Sequence, residues 1–373
     1  MYKVNALGIG GAQFDRTPDL MPHSRGPHTH LARALIQGGL WLFLSAVTLF
    51  TLAAFAGSVW YYADLFAHFR VQLLCAAVMA ALGFGWQRRW IGTITGLGVA
   101  LLNVAAMASH FEADPALYAA AEAGQTLRCI SFNVLQGNQE IDRLERFIRD
   151  SEADVILLQE VSPKHARALQ SMTEIYPNQL VLGKKNSKGV ALLTRLLSRD
   201  LSFQPFEDGE IGAITGKVRV GTNWVTIMGI HSHKPTSSNG AAAQRRYFRW
   251  AAEKSNRDAE SAPAILMGDF NSTPWSSSFE AFSASSHLLD TSRGTIFSAT
   301  WSVASPQRIL IDHGFVSRGI VLRARRIGED VGSDHRPLIL DLHIPRRTSS
   351  QVALPLLESL DRILPNHGDG ATP

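Results

Sequence analysis

The alternation of polar and apolar positions divides this chain into two unlike parts. Between residues 34 and 111 the only charged side chains are Asp64, Arg70, Arg88 and Arg89, and three uncharged runs stand out at 34–63, 71–87 and 91–109. A helix needs ~20 apolar residues to cross a hydrocarbon core, so residues 34–111 are expected to form a membrane segment of about three transmembrane helices. Trp60, Tyr61 and Tyr62 close the first run and Trp90 borders the third, where aromatic rings favour the interface between water and lipid. A buried hairpin in a soluble protein and a cleaved signal peptide are the alternatives. A signal peptide has one short apolar region followed by small residues, whereas the small residues at 119–123 follow three such runs.

Beyond residue 125 the period shortens. Runs rich in Val, Ile and Leu predict strands at 126–132, 154–159, 189–194, 213–220, 224–231, 264–267, 309–316 and 338–343. Ile141, Leu144, Phe147 and Ile148 recur at helical spacing, and further helices are expected at 163–175 and 241–258. This alternation predicts an α/β or α+β domain over 126–345, joined to the membrane segment by a linker at 112–125. There is no internal repeat. Residues 1–33 form an amino-terminal tail. In the carboxy-terminal tail, 346–373, Leu356, Leu357, Leu360, Ile363 and Leu364 are expected to line one face of a short helix.

Composition and charge sharpen this division. A chain of 373 residues exceeds the ~250 to 300 at which a single core stops growing. With 46% hydrophobic and 18% charged residues, it is not collagen-like, a disulfide scaffold or wholly disordered. Residues 1–111 hold seven Lys or Arg against three Asp, which accounts for the whole net charge of +4; the 29 basic and 29 acidic residues that follow cancel. The excess therefore speaks to membrane orientation rather than to a nucleic-acid face. Positive residues in short loops stay inside, so the tail and the Arg88-Arg89 turn are expected in the cytoplasm. An odd number of crossings then places the carboxy-terminal domain outside it, in the periplasm if the membrane is a bacterial inner membrane. Cys75 and Cys129 are too few for a disulfide framework or a thiolate metal site.

Candidate chemistry gathers where apolar strands stop. Asn133, Glu160 and His231 each follow such a run; Asp269 and Asn271 follow another; Asp312 comes after Ile309-Leu310-Ile311, and Asp334 and His335 precede the last strand. Taken singly, an Asn or Asp after a strand is a turn former, and Gly268-Asp269-Phe270-Asn271 reads as a tight turn. Together, strand ends on one edge of a sandwich can converge on a cleft in which rigid strands fix the polar groups. His233 and Lys234 are expected in an exposed loop, and Arg245, Arg246 and Arg249 on a solvated helix face.

The ordered set Phe132-Asn133-Val134, Leu158-Gln159-Glu160-Val161, Gly189 to Arg195, Gly229-Ile230-His231, Gly268-Asp269-Phe270-Asn271-Ser272-Thr273-Pro274, Ile311-Asp312-His313 and Ser333-Asp334-His335-Arg336-Pro337 resembles the endonuclease/exonuclease/phosphatase superfamily. That superfamily includes DNase I-like nucleases, inositol polyphosphate phosphatases and bacterial sphingomyelinases, and the likeness covers residues 127–344. It implies a four-layer sandwich of two mixed β-sheets flanked by helices, and Mg²⁺- or Mn²⁺-dependent hydrolysis of a phosphoester. The resemblance implies that Asn133, Glu160 and Asp334 serve the metal and that Asp269 lies near the attacking water. It sets Asn271 and His231 against the phosphoryl oxygens, and makes His335 a base oriented by Asp312. An unperturbed His pKa of ~6.5 suits that last task. Gly314 and Arg308 depart from the family pattern, and with them go inferences about substrate contacts. A lipid head group, a nucleic acid and a small phosphoester remain open as substrates, with the lipid bilayer as the other partner. The balanced domain lacks the basic stripe of a strong DNA binder. A non-catalytic module that binds a phosphate ligand is the alternative.

Overall fold

The computed structural model describes residues 27–120, 123–295, 298–305 and 307–346. Most of the amino-terminal tail and nearly all of the carboxy-terminal tail, including its expected short helix, lie outside the described residues.

The amino-terminal part is helical: α1 Pro27–Ala53, α2 Tyr61–Ala67, α3 Arg70–Trp86 and α4 Trp90–Phe111. Two stretches, Leu31–Ala56 and Trp90–Phe111, are long and apolar enough to cross a membrane, and α2 with α3 forms a pair bent by 67° that would make a third. The first helix stops earlier than expected. It tightens into a short 3-10 turn at Ala54–Ala56, so that Trp60, Tyr61 and Tyr62 introduce α2 rather than close α1. Gly57 lies there against Asp64, leaving no room for a Cβ. Asn103 of α4 donates to Thr51 Oγ1 of α1 at 2.9 Å, which pairs a polar group that would otherwise be stranded among apolar helices.

Beyond a 3-10 turn at Pro115–Tyr118, whose Leu117 is buried in the sandwich core, come twelve described strands. They are β1 Gly124–Asn133, β2 Val155–Gln159, β3 Asn178–Leu182, β4 Val190–Thr194, β5 Ser198–Phe206, β6 Ile211–Val220, β7 Asn223–His231, β8 Ala264–Asp269, β9 Leu289–Asp290, β10 Asp312–Val316, β11 Val321–Ile327 and β12 Leu338–Pro345. They form two six-stranded sheets in the orders β11-β12-β1-β2-β4-β3 and β5-β6-β7-β8-β10-β9. Both are mixed, since β1 and β2 run parallel, as do β7 and β8, among antiparallel neighbours.

Side-chain alternation assigns the layers. Leu127, Cys129, Val155 and Leu157 face Ile214, Ile227, Ile265 and Met267 between the sheets. The intervening Ile130, Phe132, Ile156 and Leu158 face outward onto Leu144 and Ile148 of α5 Ile141–Asp150 and Leu169 of α6 Pro163–Gln170. On the far side, Met228, Leu266 and Phe315 pack under Tyr247 and Phe248 of α7 Ser238–Ser261 and under Phe279 and Phe282 of α8 Ser277–Ser285. Strands covered on both faces read as continuous apolar runs, as Val155-Ile156-Leu157-Leu158 does. The four-layer sandwich of two mixed sheets between helices is the expected fold.

Close approach of β7 and β8 fixes one glycine. A Cβ on Gly268 would collide with the Ile230 carbonyl. Gly268→Ala is expected to destabilise the domain by about 1–3 kcal/mol through overpacking, visible as a lower thermal midpoint; an unchanged midpoint would mean that the strands can part there.

The helices and the sandwich meet at the bend between α2 and α3. Asp64 Oδ1 accepts from Ser277 N at 2.8 Å, His68 Nδ1 from Thr273 N at 3.2 Å, and Gln72 Nε2 donates to the Arg308 carbonyl at 3.0 Å. Arg293 reaches the Ser109 carbonyl at the end of α4 at 2.7 Å.

Candidate active site

Strand register sets the polar groups in rows. Asn133 ends β1 opposite Gln159, the residue before Glu160. In the other sheet His231 ends β7 opposite Asp269, which ends β8, and Asp269 stands opposite Asp312 at the start of β10. The strand expected over 309–316 begins at Asp312, so that Asp312 opens it rather than lying inside it. Because β10 runs antiparallel to β8, its first residue reaches the same rim as the last residue of β8.

Across the gap between the sheets the side chains meet. Asn133 Nδ2 donates to Glu160 Oε1 at 3.3 Å and to Asp269 Oδ2 at 3.0 Å. His231 Nε2 lies 3.6 Å from Asp269 Oδ2 and 4.0 Å from Glu160 Oε1. His335 Nε2 lies 3.7 Å from Asp269 Oδ2, and its Nδ1 is 2.9 Å from Asp312 Oδ2. Asn133, Glu160, His231, Asp269, Asp312 and His335 are all buried. Asn271 is tied to this group by its backbone N–H, 2.7 Å from Asp269 Oδ1, and its side chain donates to the Ser232 carbonyl at 3.1 Å. Asp334 adjoins His335; its Oδ2 accepts from Trp301 Nε1 at 2.8 Å, and its neighbour Ser333 donates to the Asn133 carbonyl.

Two site residues sit in the left-handed backbone region, Glu160 at φ 57° and Asn271 at φ 49°. Asn tolerates this readily, whereas Glu does so at a cost of ~1–3 kcal/mol that the surrounding structure must sustain. Glu160 is held there by the Gln136 backbone N–H, 3.2 Å from Oε2, and by the hydrogen bond from the Val161 N–H to the Gly189 carbonyl.

Electrostatics alter the histidine. Burial disfavours a charged ring at His335, but Asp312 and Asp269 outweigh it and raise the pKa to about 9. Burial also pushes the Asp312 carboxyl above its ordinary value, against the pull of His335. His335 is thereby shifted towards the imidazolium, unlike the near-neutral base expected from the unperturbed value.

Oxygen donors dominate what could hold a cation. Ligand atoms of Asp269, Asp312 and His335 lie within 4.8 Å of one another, although His335 Nδ1 is already engaged with Asp312. Asp312 Oδ1 is buried with no partner among the described residues. Glu160 offers the second group, with Asn133 beside it.

Lys234, expected in an exposed loop, is exposed and brings its ammonium 3.6 Å from Glu160 Oε1. Two contributors escaped the sequence reading. Trp301 holds Asp334. Gln244 of α7 is buried, and its amide donates to the carbonyls of His233, Phe270 and Asn271 at 2.9, 3.1 and 3.3 Å, clasping the two loops that follow His231 and Asp269. The signal was a glutamine on the apolar stripe of Ala241, Tyr247, Phe248 and Ala251. Gln244→Leu would leave those carbonyls without this donor, a loss of about 1–3 kcal/mol. Because small misplacements of reacting groups are expensive, kcat should fall more than KM changes; a wild-type kcat would show that the loops hold without the clasp.

The family model described as Endonuclease/Exonuclease/phosphatase family matches residues 130–335. Among solved structures, D. rerio TDP2 complexed with single strand DNA product is similar at TM-score 0.51 and 16% identity, covering 58% of this chain and 99% of that one. The endonuclease/exonuclease/phosphatase from Bacteroides vulgatus is similar at TM-score 0.50 and 22% identity, covering 59% and 99%. At such identities the likeness is one of fold. No curated protein matches the chain.

Proposed function

Since the chain belongs to the Endonuclease/Exonuclease/phosphatase family, whose members hydrolyse phosphoester bonds, we propose that it is a membrane-anchored, divalent-metal-dependent phosphoesterase. The observation that carries this reading is the convergence of Asn133, Glu160, His231, Asp269, Asp312 and His335 on one rim of the sandwich.

The donor set fits a hard cation. Buried carboxylates at Glu160, Asp269 and Asp312, set among imidazoles and Lys234, favour Mg²⁺ or Mn²⁺ over softer metals. Glu160 and Asn133 would hold the ion, with Asp334 close to the site. When bound, it would offset charge on the phosphoryl oxygens and on the leaving oxygen. In this reading Asp269 orients the attacking water and accepts its proton. His231 and Asn271 hold the phosphoryl oxygens. His335, kept charged and oriented by Asp312, donates from Nε2 to the phosphoryl group, and its raised pKa suits it to this role.

We read α1, the bent α2–α3 pair and α4 as inserted in a bilayer, with the Arg88-Arg89 turn in the cytoplasm and the sandwich on the opposite, extracytoplasmic side. A binding module without turnover would not need a histidine–carboxylate pair facing a second carboxylate. The TDP2 structure holds a DNA product, so a nuclease remains the competitor to an enzyme of lipid or small phosphoesters.

Purified full-length protein with Mn²⁺ or Mg²⁺ should release nitrophenol from bis(p-nitrophenyl) phosphate or p-nitrophenyl phosphate, and EDTA should stop it. Absence of turnover on both esters with either metal, or turnover indifferent to EDTA, would refute the assignment.

A further inference from the structure

Asp64 is the only acidic residue between positions 34 and 111, and an ionisable side chain in so apolar a segment is costly unless it is paired. Asp64 in α2 and His68 at its end are both buried and stand four residues apart, on one face of the helical turn. Both direct their side chains to the sandwich. Asp64 Oδ1 accepts from Ser277 N at 2.8 Å, and His68 Nδ1 lies 3.2 Å from Thr273 N and 3.3 Å from Thr273 Oγ1.

The segment they grip leaves the candidate active site. It runs from Asn271, two residues after Asp269, to Ser277, the first residue of α8. The sandwich fastens part of it: Ser272 Oγ lies 2.6 Å from Ser276 Oγ, the Ser272 carbonyl lies 2.9 Å from His313 Nε2, and the Asn271 carbonyl accepts from Gln244. The N–H groups of Thr273 and Ser277 are met from the opposite side, by the apolar segment. Thr273 is fully buried, so its N–H has no water to replace His68. Ser277 begins a helix, whose unpaired N–H groups favour a carboxylate. Only Ser272 separates Thr273 from Asn271, so a shift at Thr273 passes to Asn271 with little chain to absorb it.

We infer that His68 and Asp64 are positioning residues of the candidate active site: by holding Thr273 and Ser277 they fix Asn271 where it meets a phosphoryl oxygen. This role rests on the phosphoesterase reading of the rim.

In full-length protein with Mn²⁺, His68→Ala should lower kcat for bis(p-nitrophenyl) phosphate roughly tenfold and change KM less, because a small displacement of a reacting group costs up to about 10²-fold. His68→Asn, whose side-chain oxygen can accept from the Thr273 N–H in place of Nδ1, should recover most of the rate. Arg293→Ala removes a different tie between helices and sandwich, to the Ser109 carbonyl, and should leave kcat near that of wild type. Hydrogen exchange followed by mass spectrometry should find the Thr273 amide slow in wild type and faster in His68→Ala, with β1 and β2 unchanged. Where His68→Ala elutes as misfolded, Asp64→Ala carries the test, with the same loss expected and Asp64→Asn, which keeps an accepting oxygen, restoring it. A wild-type kcat in the alanine variant, an equal loss in its amide counterpart, an equal loss in Arg293→Ala, or unaltered exchange at the amide concerned would overturn the inference. Wild-type protein inert towards both nitrophenyl esters would instead sink the phosphoesterase reading, and exchange at Thr273 would still report whether His68 holds the loop.

Discussion

Glu160→Gln is expected to lower metal-dependent hydrolysis of bis(p-nitrophenyl) phosphate by roughly 10²- to 10³-fold, the loss typical of removing one charge-stabilising group from an active site. Gln has nearly the same volume, can still accept from the Gln136 N–H and keeps the neighbouring packing, so the thermal midpoint should move little. What it lacks is the charge. Oε1 faces Lys234 and the Asn133 amide, and a neutral amide at that point holds a divalent ion weakly. The metal concentration needed for half-maximal rate should therefore rise, and excess Mn²⁺ should restore part of the activity. A rate equal to wild type at limiting metal would remove Glu160 from the site.

His335→Ala should cost about 10²- to 10⁴-fold, the range for a positioned proton-transfer group. Stability will suffer as well, because Asp312 loses its partner in a fully buried position; breaking a buried pair in this way costs ~3–5 kcal/mol. Asp312→Asn in the same chain relieves that stranded charge. The double variant His335→Ala/Asp312→Asn should thus be more stable than His335→Ala yet no more active, since residues that act as a unit lose their effect once. If the double variant instead multiplied the two single losses in rate, Asp312 would be acting independently of His335.

The residues proposed to carry chemistry were legible because of where they occur. Strands buried on both faces leave unbroken apolar runs, and a polar residue at the end of such a run stands out, as Glu160 and Asp269 do. The strands that escaped notice were β3, β5, β9 and β11, and these are the four sheet edges. An edge strand is partly solvated and guarded by charge, so β11, Val-Leu-Arg-Ala-Arg-Arg-Ile, carries little of the expected alternation. The α8 helix was missed for a related reason: its Ser277-Ser278 start reads as loop, although Ser276 caps it through the Phe279 N–H. Pair geometry was not legible at all. The raised pKa of His335 depends on Asp312 and then on Asp269, the latter 66 positions earlier in the chain, and no spacing rule reports a distance between strands of different sheets.

The grip of Asp64 and His68 on the loop after Asn271 bears on how this molecule would meet what it acts on. A head on a slack leash sweeps a volume set by the leash, and lengthening the leash widens the catch. In the proposed membrane-anchored arrangement the head is bolted to its post at several points, so the candidate site would keep one height and one tilt above the surface. Inserting a glycine-serine stretch near residue 120 should then leave its reach unaltered, because the bolts, and not the connecting stretch, govern it.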